Sequence, residues 1–96
     1  MVINVTELFT VKRIGRHTLI EWLDEHVGRY IGPGAGMVRE DISPVQTYEV
    51  TVLVLDIGQG WQLEAHDIVD SYGHTINYYI DIDNEKIATF FILTWS

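Results

Sequence analysis

Four side chains in this 96-residue, cysteine-free chain could do chemistry together: Glu49, Glu64, His66 and Asp81. All lie in segments that alternate like strands. The strand register read from the sequence sets Glu49 opposite His66 and Glu64 opposite Asp81, with Tyr79 adjacent. Two directly opposed carboxylates repel unless a cation or a proton lies between them. The same donors could hold a metal or act as an acid/base pair. Read as ordinary strand chemistry, they form a solvated acidic patch whose side chains splay apart. The missing cysteine excludes disulfides, thiolate zinc sites and cysteine nucleophiles.

Other motifs are weaker. Gly32-Pro33-Gly34-Ala35-Gly36 could cradle an anion with backbone amides, but no Lys-Ser/Thr pair follows, so it is neither a phosphate loop nor a dinucleotide fingerprint. It reads as a connector. Asp81-Ile82-Asp83-Asn84-Glu85 echoes a calcium loop, yet Lys86 stands where that loop needs glycine; a hairpin turn is the expectation. His26 falls inside a helical apolar arc, where a histidine usually bonds a carbonyl. His17 and His74 read as surface residues. No Ser/His/Asp constellation and no cofactor motif stand out, and no cofactor is expected.

The elements that must position these residues are read mainly from Gln46 to Trp95. Period-two alternation predicts strands over Gln46–Leu55, Trp61–Val69, His74–Ile82 and Ile87–Trp95. Turns are expected at Asp56–Gln59, Tyr72-Gly73 and Asn84-Glu85. They pair Val54 with Trp61, Val69 with Ile76 and Ile82 with Ile87, and gather one apolar face. Asp67 is the flaw on that face, opposite Tyr48 and Tyr78, and asks for a bulge or for bonds to the phenols. The other face carries Leu53, Leu55, Ile68, Tyr79, Phe90 and Ile92. The last strand is then apolar on both sides, which calls for a curled sheet or a second chain.

Two helices precede this meander. Asn4 and Glu7 resemble a capping box, Ile3 and Leu8 a staple, and Gly15 a left-handed stop. The composition of residues 2–13 also suits a strand. Thr18 and Glu21 open a second helix that Gly28 ends, with Leu19, Ile20, Trp22, Leu23, His26 and Val27 on an arc of ~160°. Met37–Ile42 could add a short strand that Ser43-Pro44 ends.

The length suits one domain: a helical segment over 1–28, a Gly/Pro-rich connector over 29–45 and a meander over 46–96. The expected fold is α+β, with an N-terminal helix or helical pair on a four- to five-stranded antiparallel meander able to curl into a small barrel. A helix followed by a bent sheet resembles the layout of Sm-like and SH3-like barrels in topology alone; the signature Gly- and Asp/Asn-bearing segments of the Sm-like family are not recognisable here. The net charge is −8, and residues 46–96 carry eight acidic residues against Lys86 alone. That charge disfavours direct nucleic-acid binding. No apolar run approaches the ~20 residues of a membrane span, no secretion signal is seen, and the cytoplasm is the default expectation. Three functions fit: a non-enzymatic assembly subunit that self-associates through the second sheet face, an acidic decoy for a basic protein partner, or a small metal-dependent enzyme using the carboxylate–histidine set.

Overall fold

The structure is a computed structural model and describes the backbone of residues 1–34, 38–41 and 49–96. In chain order the elements are β1 (Val2–Asn4), α1 (Thr6–Thr10), α2 (Arg16–His26), β2 (Tyr30–Pro33), β3 (Val38–Asp41), β4 (Glu49–Gly58), β5 (Trp61–Asp70), β6 (Gly73–Ile82) and α3 (Glu85–Trp95). The fold is α+β. Its antiparallel sheet runs β1-β6-β5-β4-β2, with β3 also paired to β4. The sheet is open, ending at β1 on one side and at β2 and β3 on the other, so it does not close into a barrel.

Alternation along β5 and β6 sends Trp61, Leu63, Ala65, Tyr78, Ile80 and Ile82 to one face. Leu8 of α1, Leu19 and Leu23 of α2, and Ala88 and Phe91 of α3 pack into the same cluster. All three helices therefore contribute to one core on one face. Trp22 of α2 touches Phe90, Phe91 and Trp95 of α3, with ring centroids 5.7, 5.6 and 6.0 Å away.

The expected fourth meander strand, Ile87–Trp95, is instead the helix α3. Asn84 accounts for its start: Oδ1 accepts from the amides of Lys86 and Ile87 at 3.0 and 3.2 Å. The expected turn at Asn84-Glu85, and the pairing of Ile82 with Ile87, are replaced by this cap. Ile, Thr, Phe and Trp favour strands on average, but a helix lays Ala88, Phe91 and Trp95 on one side against the core, and packing outweighs propensity.

The hairpin registers also differ. β4 runs on to Gly58, and the turn is Gln59-Gly60, with Gly60 at φ +78°. Trp61 faces Gly58 and Leu63 faces Asp56. A bulge at Leu55 then shifts the ladder, so that Val52 faces His66 and Val54 faces Glu64. The valines Val50, Val52 and Val54 thus lie on the face away from the helices. The β5–β6 turn is Ser71-Tyr72, one residue earlier than expected, and Val69 faces His74. That slide of two positions keeps every side chain on its expected face.

The first thirteen residues are strand and then helix. β1 pairs with β6, and the chain leaves the sheet at Val5 to form the five-residue α1. Asn4 Oδ1 accepts from the Thr6 amide at 3.0 Å, although the helix has Val5 at its cap position. Arg13, not Gly15, adopts the left-handed conformation, with φ 54°. Gly15 instead precedes α2, which starts at Arg16 rather than behind a Thr18 cap. Part of the predicted connector is strand: β2 pairs Gly32 with Ile57 and Pro33 with Asp56. The proposed short strand after it is present as β3. Ala35–Met37, the end of that strand at Ser43-Pro44, and Gln46–Tyr48 lie outside the described residues.

Candidate functional site

The four residues singled out for chemistry do not converge. Glu64 and His66 alternate onto the face away from the helices and meet there, His66 Nε2 lying 2.9 Å from Glu64 Oε1. Gln62 Nε2 donates to Glu64 Oε2 at 2.5 Å, and the Tyr79 ring lies 4.2 Å from the His66 ring. Asp81 faces Gln62 rather than Glu64, and Glu49 faces Val69 on the opposite side of the sheet. Tyr79, not Asp81, sits opposite Glu64. Among the described residues no three His, Asp or Glu side chains gather as a metal-holding group. The Glu64–His66 pair is two positions apart on one strand, and its carboxylate is held from both sides.

The six residues expected to form one apolar face are also dispersed. Leu53 alternates onto the helix side, and the bulged Leu55 packs against the core there. Ile68 and Tyr79 lie on the reverse side. Phe90 and Ile92 belong to α3, where positions two apart point about 200° away from each other. On that helix Phe90 is 50% exposed, Ile92 41% and Leu93 73%. Leu93, which a strand would have buried, is among the most exposed large apolar side chains. Phe90 also lies 6.3 Å, ring to ring, from His26 of α2. His26 itself is exposed rather than at the edge of the core, but it stacks on Trp22 and meets the Trp22 carbonyl at 3.0 Å.

A polar cluster around one buried carboxylate is not legible in the sequence, where Asp56 reads as a turn residue. Asp56 is 2% exposed, at the end of β4. Arg16 Nε donates to Asp56 Oδ2 at 2.7 Å and the Tyr30 hydroxyl to Oδ1 at 2.9 Å. Arg16 Nη2 also donates to the Leu55 carbonyl at 3.3 Å. The hydrogen bond to Asp56, and then burial, raise the Tyr30 pKa, because both favour the protonated phenol. The bond to Asp56 likewise holds the Arg16 proton more tightly. Every oxygen of this carboxylate is engaged, so the cluster ties β2 and α2 to β4 rather than presenting a reactive group.

Asp67, the flaw on the core face, lies opposite Ile76 and accepts from His74 Nδ1 at 2.8 Å. No bulge occurs beside it, and its proposed partner Tyr48 lies outside the described residues. His17 meets Glu21 at 2.8 Å on the exposed side of α2. Among the described residues no helix is long and apolar enough to cross a membrane. Comparison with known proteins finds no matching family model, no matching curated protein and no matching solved structure.

Proposed function

We propose that the chain is a non-enzymatic assembly subunit that associates with copies of itself through the outward side of α3. The observation that supports this reading is the exposure of Phe90, Ile92 and Leu93 on a helix whose opposite side already forms the core. The outward side of α3 also carries Thr89 and Lys86, but three large apolar side chains reaching beyond the core-facing arc are more than a solvated helix face ordinarily shows. Charge supports the same occupant. The chain carries −8, so copies repel, yet residues 87–96 contain no charged side chain. Trp22 and Phe90 extend the apolar strip from α3 onto α2.

Light scattering tests the reading. The wild-type mass is expected at a multiple of 11.0 kDa in dilute buffer. Leu93→Glu, on a side chain with little to lose within its own chain, is expected to lower that mass with an unchanged circular dichroism spectrum. A wild-type monomer at millimolar concentration, or a Leu93→Glu mass equal to wild type, removes α3 as the contact.

A further inference from the structure

The edge of β6 is covered only in part. β1 pairs with Tyr79, Ile80 and Asp81, and the chain then turns into α1. At the turn, Val5 N donates to the Tyr78 carbonyl at 2.8 Å and Tyr78 N donates to Thr6 Oγ1 at 2.9 Å. Beyond that point, from Gly73 to Asn77, no described strand pairs with β6 on this side. Backbone groups alternate in direction along a strand, and those of Tyr78 point outward. The amides and carbonyls of Ile76 and His74 therefore point the same way, and no described backbone meets them.

Natural sheets usually blunt such an edge with proline, lysine, a bulge or a cover. Among the described residues this segment has none of them. Gly73–Asn77 contains no Pro and no Lys, its pairing with β5 is unbroken, and Ile76 is 47% exposed. Beside it lies a groove of about 480 Å³ on the helix side of the sheet, whose lining includes Phe9, Leu53, Ala65, Ile76 and Tyr78.

We infer that the free edge of β6 pairs antiparallel with the same edge of a second copy, forming a sheet continuous across two chains. The occupant follows from self-complementarity and charge. A two-fold axis at Thr75 sets His74 opposite the second copy's Ile76, and Ile76 opposite its His74. Both outward amides and both outward carbonyls of each copy then find partners. Pairing stops at Asn77, where Thr6 occupies the edge. Residues 71–80 hold no Asp, Glu, Lys or Arg, so this edge is neutral in a chain of net charge −8. The same neutrality offers nothing to select a charged foreign strand. The contact shares its occupant with the α3 reading but lies on a different surface. Two isologous contacts on one chain build a closed tetramer or an open string.

Ile76→Pro tests the pairing directly. It removes an outward amide that no internal ladder bond uses, and proline is tolerated on edges. Light scattering is expected to show Ile76→Pro at half the wild-type mass or less, and Ile76→Pro with Leu93→Glu as a monomer. Amide exchange on wild type is the second measurement: protection over 73–77 is expected to rise at least tenfold between micromolar and millimolar protein. Wild-type mass in Ile76→Pro, or concentration-independent exchange over 73–77, overturns the β6 contact whatever happens to α3. If only Leu93→Glu lowers the mass, α3 stands and β6 falls. If only Ile76→Pro does, the reverse holds.

Discussion

The Tyr30 hydroxyl donates to Asp56 at 2.9 Å, and this bond ties the edge strand β2 to β4. Arg16 completes the cluster from α2 at 2.7 Å. Removing the carboxylate leaves a half-exposed guanidinium and a part-exposed phenol that water can reach, so Asp56→Ala is expected to cost about 1 to 2 kcal/mol in urea unfolding. Arg16→Met leaves that carboxylate, 2% exposed, with the Tyr30 bond but no countercharge, so it is expected to cost about 3 kcal/mol. Equal losses for the two variants would contradict the burial of Asp56.

The same cluster sets an alkaline limit. The folded chain binds the Tyr30 proton more tightly than the unfolded chain does, because the phenol donates to Asp56. A raised folded pKa gives stability that is complete below the unfolded value of about 10 and is lost as pH rises through the folded value. The wild-type melting temperature is therefore expected to fall above about pH 10. Tyr30→Phe starts lower at neutral pH and should show a shallower alkaline fall. Parallel curves for the two proteins would contradict the linkage.

Two glycines should respond differently to alanine. A Cβ on Gly28 would run into the backbone carbonyl of Gln59, where the end of α2 meets the β4–β5 turn. Trp61 Nε1 donates to the Gly28 carbonyl at 2.7 Å, so the backbone cannot retreat freely. Gly28→Ala is expected to cost about 2 kcal/mol or more. A Cβ on Gly60 meets no other group, and only its φ of +78° resists substitution. Gly60→Ala is expected to cost about 1 kcal/mol. Chemical denaturation of both variants gives the order.

Asn84 bonds two amides at the start of α3, and its loss should be read at that helix. Asn84→Ala is expected to cost about 1 kcal/mol, Asn84→Asp almost nothing and Asn84→Gly a few tenths. Thermal melts of the three variants check the ranking. An Asn84→Asp variant as unstable as Asn84→Ala would mean that the side-chain oxygen is not the cap.

Much of the sheet was legible because β5 and β6 obey strict alternation. Trp61, Leu63, Ile80 and Ile82 all fall on the face expected of them. The body of α2 was equally plain, since Leu19 and Leu23 are four apart on one side. α3 was hidden by its strand-loving composition, and the one contrary sign, Asn84 before Glu85, also suits a turn. The candidate site was less legible. Opposed residues depend on register, register depends on which residues turn, and Asp56 proved to belong to the strand. The pair that does meet, Glu64 and His66, needs no register, because a spacing of two along β5 puts both side chains on one face.

The extra residue in β4 has a consequence for how this chain can change its length. Leu55 and Asp56 both serve the helix side, an adjacency that uninterrupted pleating forbids, and the Leu55 carbonyl is freed to accept from Gly34 at 2.9 Å. Trimming that position would restore a uniform pleat and separate the leucine's greasy packing from the carboxylate's anchor. Insertions are thus tolerable at the exposed Ser71-Tyr72 turn, and less so at Gln59-Gly60, which packs on Gly28 and bonds Arg29 and Asp83. Within β4 they would force the strand to surrender either its oily contribution or its ionic one.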